Sequence, residues 1–200
     1  MRHSALTISA ICALVLGPVP AANALTLSLL PEQGMVQAGA TALIDVVASG
    51  LADGENVGAI GGYDLNVAFN PTLLSWTSTA FGSGLNVTGL GDIQDSRLLP
   101  SNPAVVDTAE TSLDTAADLA ALQPNSFVLF TLSLTGIASG TSALDLSIGS
   151  LTDERGNPLA ANVQGSSLTV TPVPLPAAVW LLLSGLGSVL GFGRSRRVRT

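Results

Sequence analysis

GGYDLNVAFNPTLLSW, residues 61–76, carries the pattern that decides the fold. From Tyr63 to Phe69 the odd positions, Tyr63, Leu65, Val67 and Phe69, are apolar. The even positions, Asp64, Asn66 and Ala68, are mostly polar. Successive side chains of a strand point to opposite faces, so this alternation predicts a half-buried β-strand. Asn70-Pro71 ends it, because proline fixes φ and removes a ladder donor, while Asn suits the turn. Leu73 and Leu74 then begin the next strand.

The same period recurs along the chain. Leu25-Leu27-Leu29, Ile44-Val46-Ala48, Val128-Phe130-Leu132-Leu134, Leu144-Leu146-Ile148 and Leu168-Val170 each form an inward apolar row. Turn residues separate them at Ala52-Asp53-Gly54, Ser139-Gly140 and Arg155-Gly156-Asn157-Pro158. Short strands with turn signals between them predict an all-β sandwich. Gly82 to Gln123 departs from the pattern and reads as its irregular part. Within it Asp107 to Leu122, DTAETSLDTAADLAAL, is rich in Ala, Leu, Asp and Glu, and predicts a short helix from about Asp114. The sequon Asn86-Val87-Thr88 reads as ordinary strand or loop.

The Phe69-Asn70-Pro71 step with its flanking strands resembles a cohesin-type domain. LSLLPEQGMVQAGATALIDVVASGL, with its Gly39 turn, and SFVLFTLSLTGIASGTSALDLSIGSLTDERGNPLA resemble the amino and carboxyl parts of the same fold. The resemblance implies a cohesin-like jelly-roll β-sandwich over residues 25–171, related to carbohydrate-binding modules. It implies a non-catalytic domain whose partner is a dockerin-like or matrix protein. The dockerin-contacting residues of that family form no local motif here, so none is carried over.

The chain begins MRHSALTISAICALVLGPVPAANALTL. A basic start at Arg2 and His3, an apolar run from Ala5 to Leu16 and the Ala22-Asn23-Ala24 step match a secretory signal peptide over residues 1–24, cleaved between Ala24 and Leu25. Cleavage would remove His3 and Cys12, the sole His and Cys, and the chain has no Lys. A mature chain so composed excludes disulfides, thiol nucleophiles, His-dependent triads and ordinary zinc sites.

The other end, residues 172–200, reads PVPLPAAVWLLLSGLGSVLGFGRSRRVRT. Leu175 to Phe192 carries no charge and as a helix would reach about 27 Å. That is close to a bilayer core of about 30 Å. A transmembrane helix over about 177–192 is therefore expected. Arg194, Arg196, Arg197 and Arg199 then set the tail on the cytoplasmic side. Val173-Pro174-Leu175-Pro176-Ala177, the apolar helix and the terminal arginines together resemble the VPLPA variant of PEP-CTERM sorting signals. The resemblance implies a Gram-negative bacterium that makes exopolysaccharide. It also implies an exosortase-type membrane transpeptidase that recognises Val173 to Ala177, cleaves there and passes the protein from the inner membrane toward the cell surface or extracellular matrix. A permanent single-span anchor is the other reading of the same residues.

Between the two ends lie about 147 residues, enough for one domain with its own core. Arg97 and Arg155 face fourteen carboxylates there, a formal charge of −12. Such a domain repels nucleic acid and anionic lipid. Three function classes follow. A surface interaction protein is the first. The second is a carbohydrate-binding module acting on exopolysaccharide. Sugar modules present exposed aromatic faces, whereas Tyr63 falls on the inward row and Trp76 shares the parity of Leu74. The third is carboxylate catalysis by two among Asp64, Asp92, Asp95, Asp107 and Glu110, in the manner of a glycosidase. Their spacing singles out no pair, and no enzyme is expected. No cofactor is expected either. Asp53-Gly54-Glu55-Asn56 and Asp92-x-x-Asp95 offer oxygen ligands for calcium, but without EF-hand spacing.

Overall fold

The computed structural model describes residues 25–51 and 58–174, with residues 181, 184 and 185. The expected signal peptide with Ala22 and Ala24 lies outside the described residues. So do Asp53 to Asn56, Leu175-Pro176-Ala177, all but three residues of the expected membrane helix, and the arginine tail. Among the described residues no helix is long and apolar enough to cross a membrane.

Among the described residues up to 174, eleven strands and one short helix follow in the order β1 (Thr26–Pro31), β2 (Met35–Gln37), β3 (Thr41–Ser49), β4 (Ile60–Ala68), β5 (Leu74–Phe81), β6 (Asp92–Leu99), β7 (Asn102–Ser112), α1 (Ala116–Leu122), β8 (Ser126–Gly136), β9 (Gly140–Asp153), β10 (Asn162–Gln164) and β11 (Ser166–Thr171). They form a sandwich of a five-stranded sheet, β10-β1-β3-β8-β5, and a six-stranded sheet, β2-β11-β9-β4-β7-β6. Every strand-to-strand connection except the β6–β7 hairpin crosses from one sheet to the other. The first and last strands of the sandwich are each held by a parallel pair, β1 with β10 and β11 with β2.

The period-two rows fill the space between the sheets. Leu27, Ile44, Val46, Ala48, Leu65, Val67, Leu132, Leu134, Leu144 and Leu168 are fully buried. Each large side chain of this set adds about 1.5–3 kcal/mol through burial. Trp76 and Ile148 are half-buried against the same core. The Asn70-Pro71 step is the expected turn. Asn70 Oδ1 accepts from Thr72 N at 3.0 Å and Thr72 Oγ1 at 2.7 Å, and Leu73 N and Leu74 N donate to Asn70 O. Gly156, at φ +83°, closes the β9–β10 turn while Asp153 Oδ1 accepts from Arg155 N and Asn157 N.

Two expectations are corrected. In the β8 row the buried residue is Leu129 and not Val128, which is half-buried. A bulge opposite Val46 and Val47 drops Leu129 from the register, because Phe130 pairs with Val46 and Val128 with Val47. The stretch Gly82–Gln123 is also more regular than its composition implies. It holds β6, β7 and α1. Asp107 to Ser112, the head of the Ala-, Asp- and Glu-rich stretch, is regular strand, paired on one side with β4 and on the other with β6. Ala, Asp and Glu are poor strand formers, and cross-strand pairing overrides that weak preference. The helix itself starts close to the expected Asp114. Thr115 caps it, with Oγ1 accepting from Asp118 N at 3.2 Å.

Candidate functional site

The outer face of the six-stranded sheet gathers five charged residues that the sequence spreads from Asp64 to Asp145. On β4 the residues between the buried Tyr63, Leu65 and Val67 are Asp64 and Asn66. Register places Asp107 of β7 beside Asn66, Arg97 of β6 beside Asp107, and Asp145 of β9 beside Ala68. Asp95 stands on the same face of β6, two residues before Arg97. Four carboxylates therefore share one sheet surface with a single guanidinium.

Arg97 organises the centre. Its Nη2 donates to Asp107 Oδ2 at 2.7 Å, and its Nη1 donates to Asp95 Oδ2. The Asp107 side chain is only 10% exposed, against 56% for Arg97. Asp64 lies against the same group. Burial, the charge of Asp107 and a hydrogen bond to it hold the Asp64 carboxyl above its ordinary pKa, and Arg97 opposes the rise. Gly149 on β9 makes room for Asp64, since a Cβ there would stand 2.9 Å from Asp64 Oδ1. Asn66 Oδ1 is buried in this surface with no hydrogen-bond partner. An unpaired buried acceptor costs about 1–3 kcal/mol, and a donor arriving from outside would relieve it.

One end of the face turns apolar. Ile93, outward on β6, is 64% exposed. Leu90 and Leu113, in the segments flanking β6 and β7, are exposed beside it, with Leu113 N donating to Gly91 O. The outer face of the other sheet differs in kind. There Thr41 and Thr135 pair hydroxyl to hydroxyl at 3.0 Å, and the Asp45 carboxylate accepts from Thr131 at 2.6 Å.

The five carboxylates weighed for catalysis separate into two groups. Asp64, Asp95 and Asp107 meet on the outer face, whereas Glu110 and Asp92 belong to the interior side. Glu110 pairs with Tyr63, is 1% exposed, and accepts from Tyr63 Oη at 2.7 Å and Gln94 Nε2 at 3.4 Å. Burial pushes the Glu110 carboxyl up to about 7; Asp92 beside it adds to the rise, while Tyr63 and Gln94 oppose it. The spacing of Asp92 and Asp95 offers both carboxylates as calcium ligands. The strand overturns that pairing, because residues three apart on β6 point to opposite faces. Among the described residues no group of three or more acidic side chains is placed to hold a metal ion.

Neither Tyr63 nor Trp76 offers a flat sugar platform. Tyr63 is 3% exposed and stacks on Phe130 at 5.8 Å between ring centres. Trp76 is half-buried, with Nε1 donating to Thr79 Oγ1 at 3.2 Å. Asn86 of the sequon sits in a loop, where its Oδ1 accepts from Gly91 N. Of the stretch expected to be a sorting motif, Val173 and Pro174 are described, and both lie exposed just past β11. Leu25 is buried at the head of β1, with its carbonyl accepting from Asn162 N at 2.8 Å.

Sequence reasoning treated Arg97 only as a counter-charge and passed over Asn66 and Asp145. The parity of Asp64 and Asn66 marked a shared face. Which strands stand beside it depends on pairings across forty or more residues, and no local pattern carries those.

No family model and no curated protein matches the chain. Solved structures do. The second type II cohesin module of an adaptor scaffoldin from Acetivibrio cellulolyticus aligns with a TM-score of 0.60 at 11% identity, over 76% of this chain and 93% of that one. A cohesin–dockerin complex from Clostridium thermocellum gives 0.57 at 14% identity, over 78% and 100%. A non-cellulosomal cohesin from the archaeon Archaeoglobus fulgidus gives 0.54 at 13% identity, over 74% and 91%. At such identities the likeness speaks for architecture alone, and the architecture it shows, over about three quarters of the chain, is the cohesin fold.

Proposed function

We propose that this chain is an exported cell-surface or matrix protein whose sandwich captures a partner protein on the outer face of the six-stranded sheet. The observation that carries the reading is the composition of that face: Asp64, Asp95, Asp107 and Asp145 against Arg97 alone, bordered by exposed Ile93. A flat charged surface with one apolar corner suits a protein that presents basic side chains and one apolar anchor. The unpartnered Asn66 Oδ1 adds a specific place for a donor. One of the solved neighbours is itself a cohesin in complex with a dockerin, so a dockerin-like or matrix protein is the natural partner class. Exopolysaccharide is less well supported, because Tyr63 is buried and Trp76 half-buried.

The ends of the chain complete the reading. Residues 1–24 direct export. Val173 to Ala177 serve as the recognition site of an exosortase-type transpeptidase, and Arg194 to Arg199 hold the orientation of the preceding helix until cleavage. The exposure of Val173 and Pro174 beyond the last strand supports access by such an enzyme.

The test is capture from native surface material by the purified protein, beside a variant carrying Asp95→Lys and Asp145→Lys. Specific retention of a protein by the first and not the second is expected. Equal retention by both, or retention of glycan alone, would overturn the reading. For the tail, intact mass of surface material should end within the VPLPA stretch. A retained arginine tail would establish the permanent anchor instead.

A further inference from the structure

A second site lies near α1, made of residues other than those of the charged face and independent of the partner reading. A half-open cavity of about 180 Å³ is bounded by Leu51, Ala59, Leu119, Ala120, Asn125 and Glu154. Its apolar wall is firm. Leu51 is 6% exposed and Leu119 2%. Gln123, at the C-cap of α1, braces it: Nε2 donates to Ile60 O at 3.0 Å and Gly84 O at 2.9 Å, and Oε1 accepts from Ile60 N at 2.6 Å.

Into this wall is set a carboxylate. The Glu154 side chain is 7% exposed, and its Oε2 has no hydrogen-bond partner. The adjacent Arg155 reaches only the other oxygen, with Nε 3.6 Å from Oε1, and is itself 74% exposed. Gly58 creates the space, because a Cβ there would stand 2.5 Å from Oε2. A buried carboxylate oxygen without a hydrogen-bond donor is costly. Here the unpartnered oxygen borders a cavity in which the aliphatic side chains Leu51, Ala59, Leu119 and Ala120 alternate with backbone and the amides of Gln123 and Asn125.

We propose that this cavity binds a primary ammonium group carried on a short aliphatic chain, as in a lysine side chain or a small alkylamine. The ammonium would donate to Glu154 Oε2, and its methylenes would lie on Leu51, Ala59 and Leu119. Calcium fits less well. It takes six to eight oxygen ligands, and apart from Glu154 the wall is built of methyl groups, backbone and two amide side chains. This chain has no Lys, so the ammonium must come from another molecule.

The experiment is an amide NMR titration of the full chain with butylammonium, with N-acetyl-lysine methylamide and with neutral butanol. Saturable millimolar shifts at Ala59, Leu119 and Glu154 are expected from both amines and not from butanol. The stronger of the two amines identifies the source as a protein lysine or a free amine. Glu154→Gln keeps the shape and removes the charge, and should weaken amine binding about tenfold or more. Ala120→Leu, at an exposed helix position, should weaken it by filling the mouth while leaving the charge in place. The proposal is overturned by no saturable shift, by equal shifts from butanol, by undiminished binding to Glu154→Gln, or by calcium displacing the amine.

Discussion

Tyr63 Oη donates a 2.7 Å hydrogen bond to Glu110 Oε2 between the two sheets, where neither residue is more than 3% exposed. The pair stands directly opposed in the β4–β7 register. Because burial raises Glu110 to about 7 from an ordinary value of 4.5, the folded state binds a proton that the unfolded chain releases at lower pH. Stability from this group is therefore complete below about 4.5 and is lost as pH rises to about 7. Glu110→Gln imitates the protonated form. It should raise the midpoint of denaturation at pH 8 and flatten its dependence between pH 5 and 8, with an upper bound of roughly 3 kcal/mol. Denaturant titrations of both proteins across that range would check this. A wild-type profile as flat as the variant's would refute it.

The charged face makes a different prediction, since its members differ in burial. Asp95 and Asp145 are exposed, so Asp95→Lys and Asp145→Lys should leave stability within about 0.5 kcal/mol while abolishing partner capture. Arg97→Met strands the nearly buried Asp107 beside Asp64. It should cost about 1–2 kcal/mol, moderated by the 56% exposure of Arg97. Thermal melts of the three variants, run beside the capture assay, separate a binding residue from a structural one.

The contrast between the faces also explains what the sequence could convey. The inward rows of β1, β3, β4 and β11 were legible because burial on one side imposes a period of two on adjacent residues. The Phe69-Asn70-Pro71 turn was legible because its chemistry is local. β7 was not, since Glu110 and Thr108 occupy inward positions where an apolar residue is the usual signal. Their polarity is satisfied by Tyr63 and Ser96, which come from other strands. Likewise Leu129 takes the place expected for Val128 because β8 carries a bulge opposite Val46 and Val47. The charged face has its parity in the sequence and its assembly in the pairing of four strands.

Gly82, just after β5, tests how tightly the sheet edge is built. Its N donates to Leu129 O at 2.8 Å, and a Cβ on it would fall 1.9 Å from Val128 O. The obstacle is backbone within the β8 bulge, which cannot rotate away as a side chain would. Gly82→Ala should therefore cost about 1–3 kcal/mol or more through backbone displacement. Gly34→Ala, with nothing near its Cβ, is the control and should be close to neutral. Comparable losses in both variants would refute a specific clash.

Asp114 holds the loop after β5 from a distance of nearly thirty residues. Its Oδ2 accepts from Val87 N at 2.6 Å and Thr88 N at 3.3 Å, and its Oδ1 accepts from the Thr88 hydroxyl. These donors, the Thr88 hydroxyl first, lower the Asp114 pKa from its ordinary 3.8. A depressed folded value means that the latch contributes fully above the ordinary carboxylate range and is lost as pH falls through the folded value. Amide exchange at Val87 and Thr88 should therefore stay protected at neutral pH and quicken in acid, after correction for intrinsic rates. Asp114→Ala should bring the same opening at neutral pH, while protection in β4 and β8 stays unchanged. If Val87 remained protected in that variant, the loop would be held by its own turn at Ser83–Asn86, and the carboxylate would be only an ornament on a structure already closed.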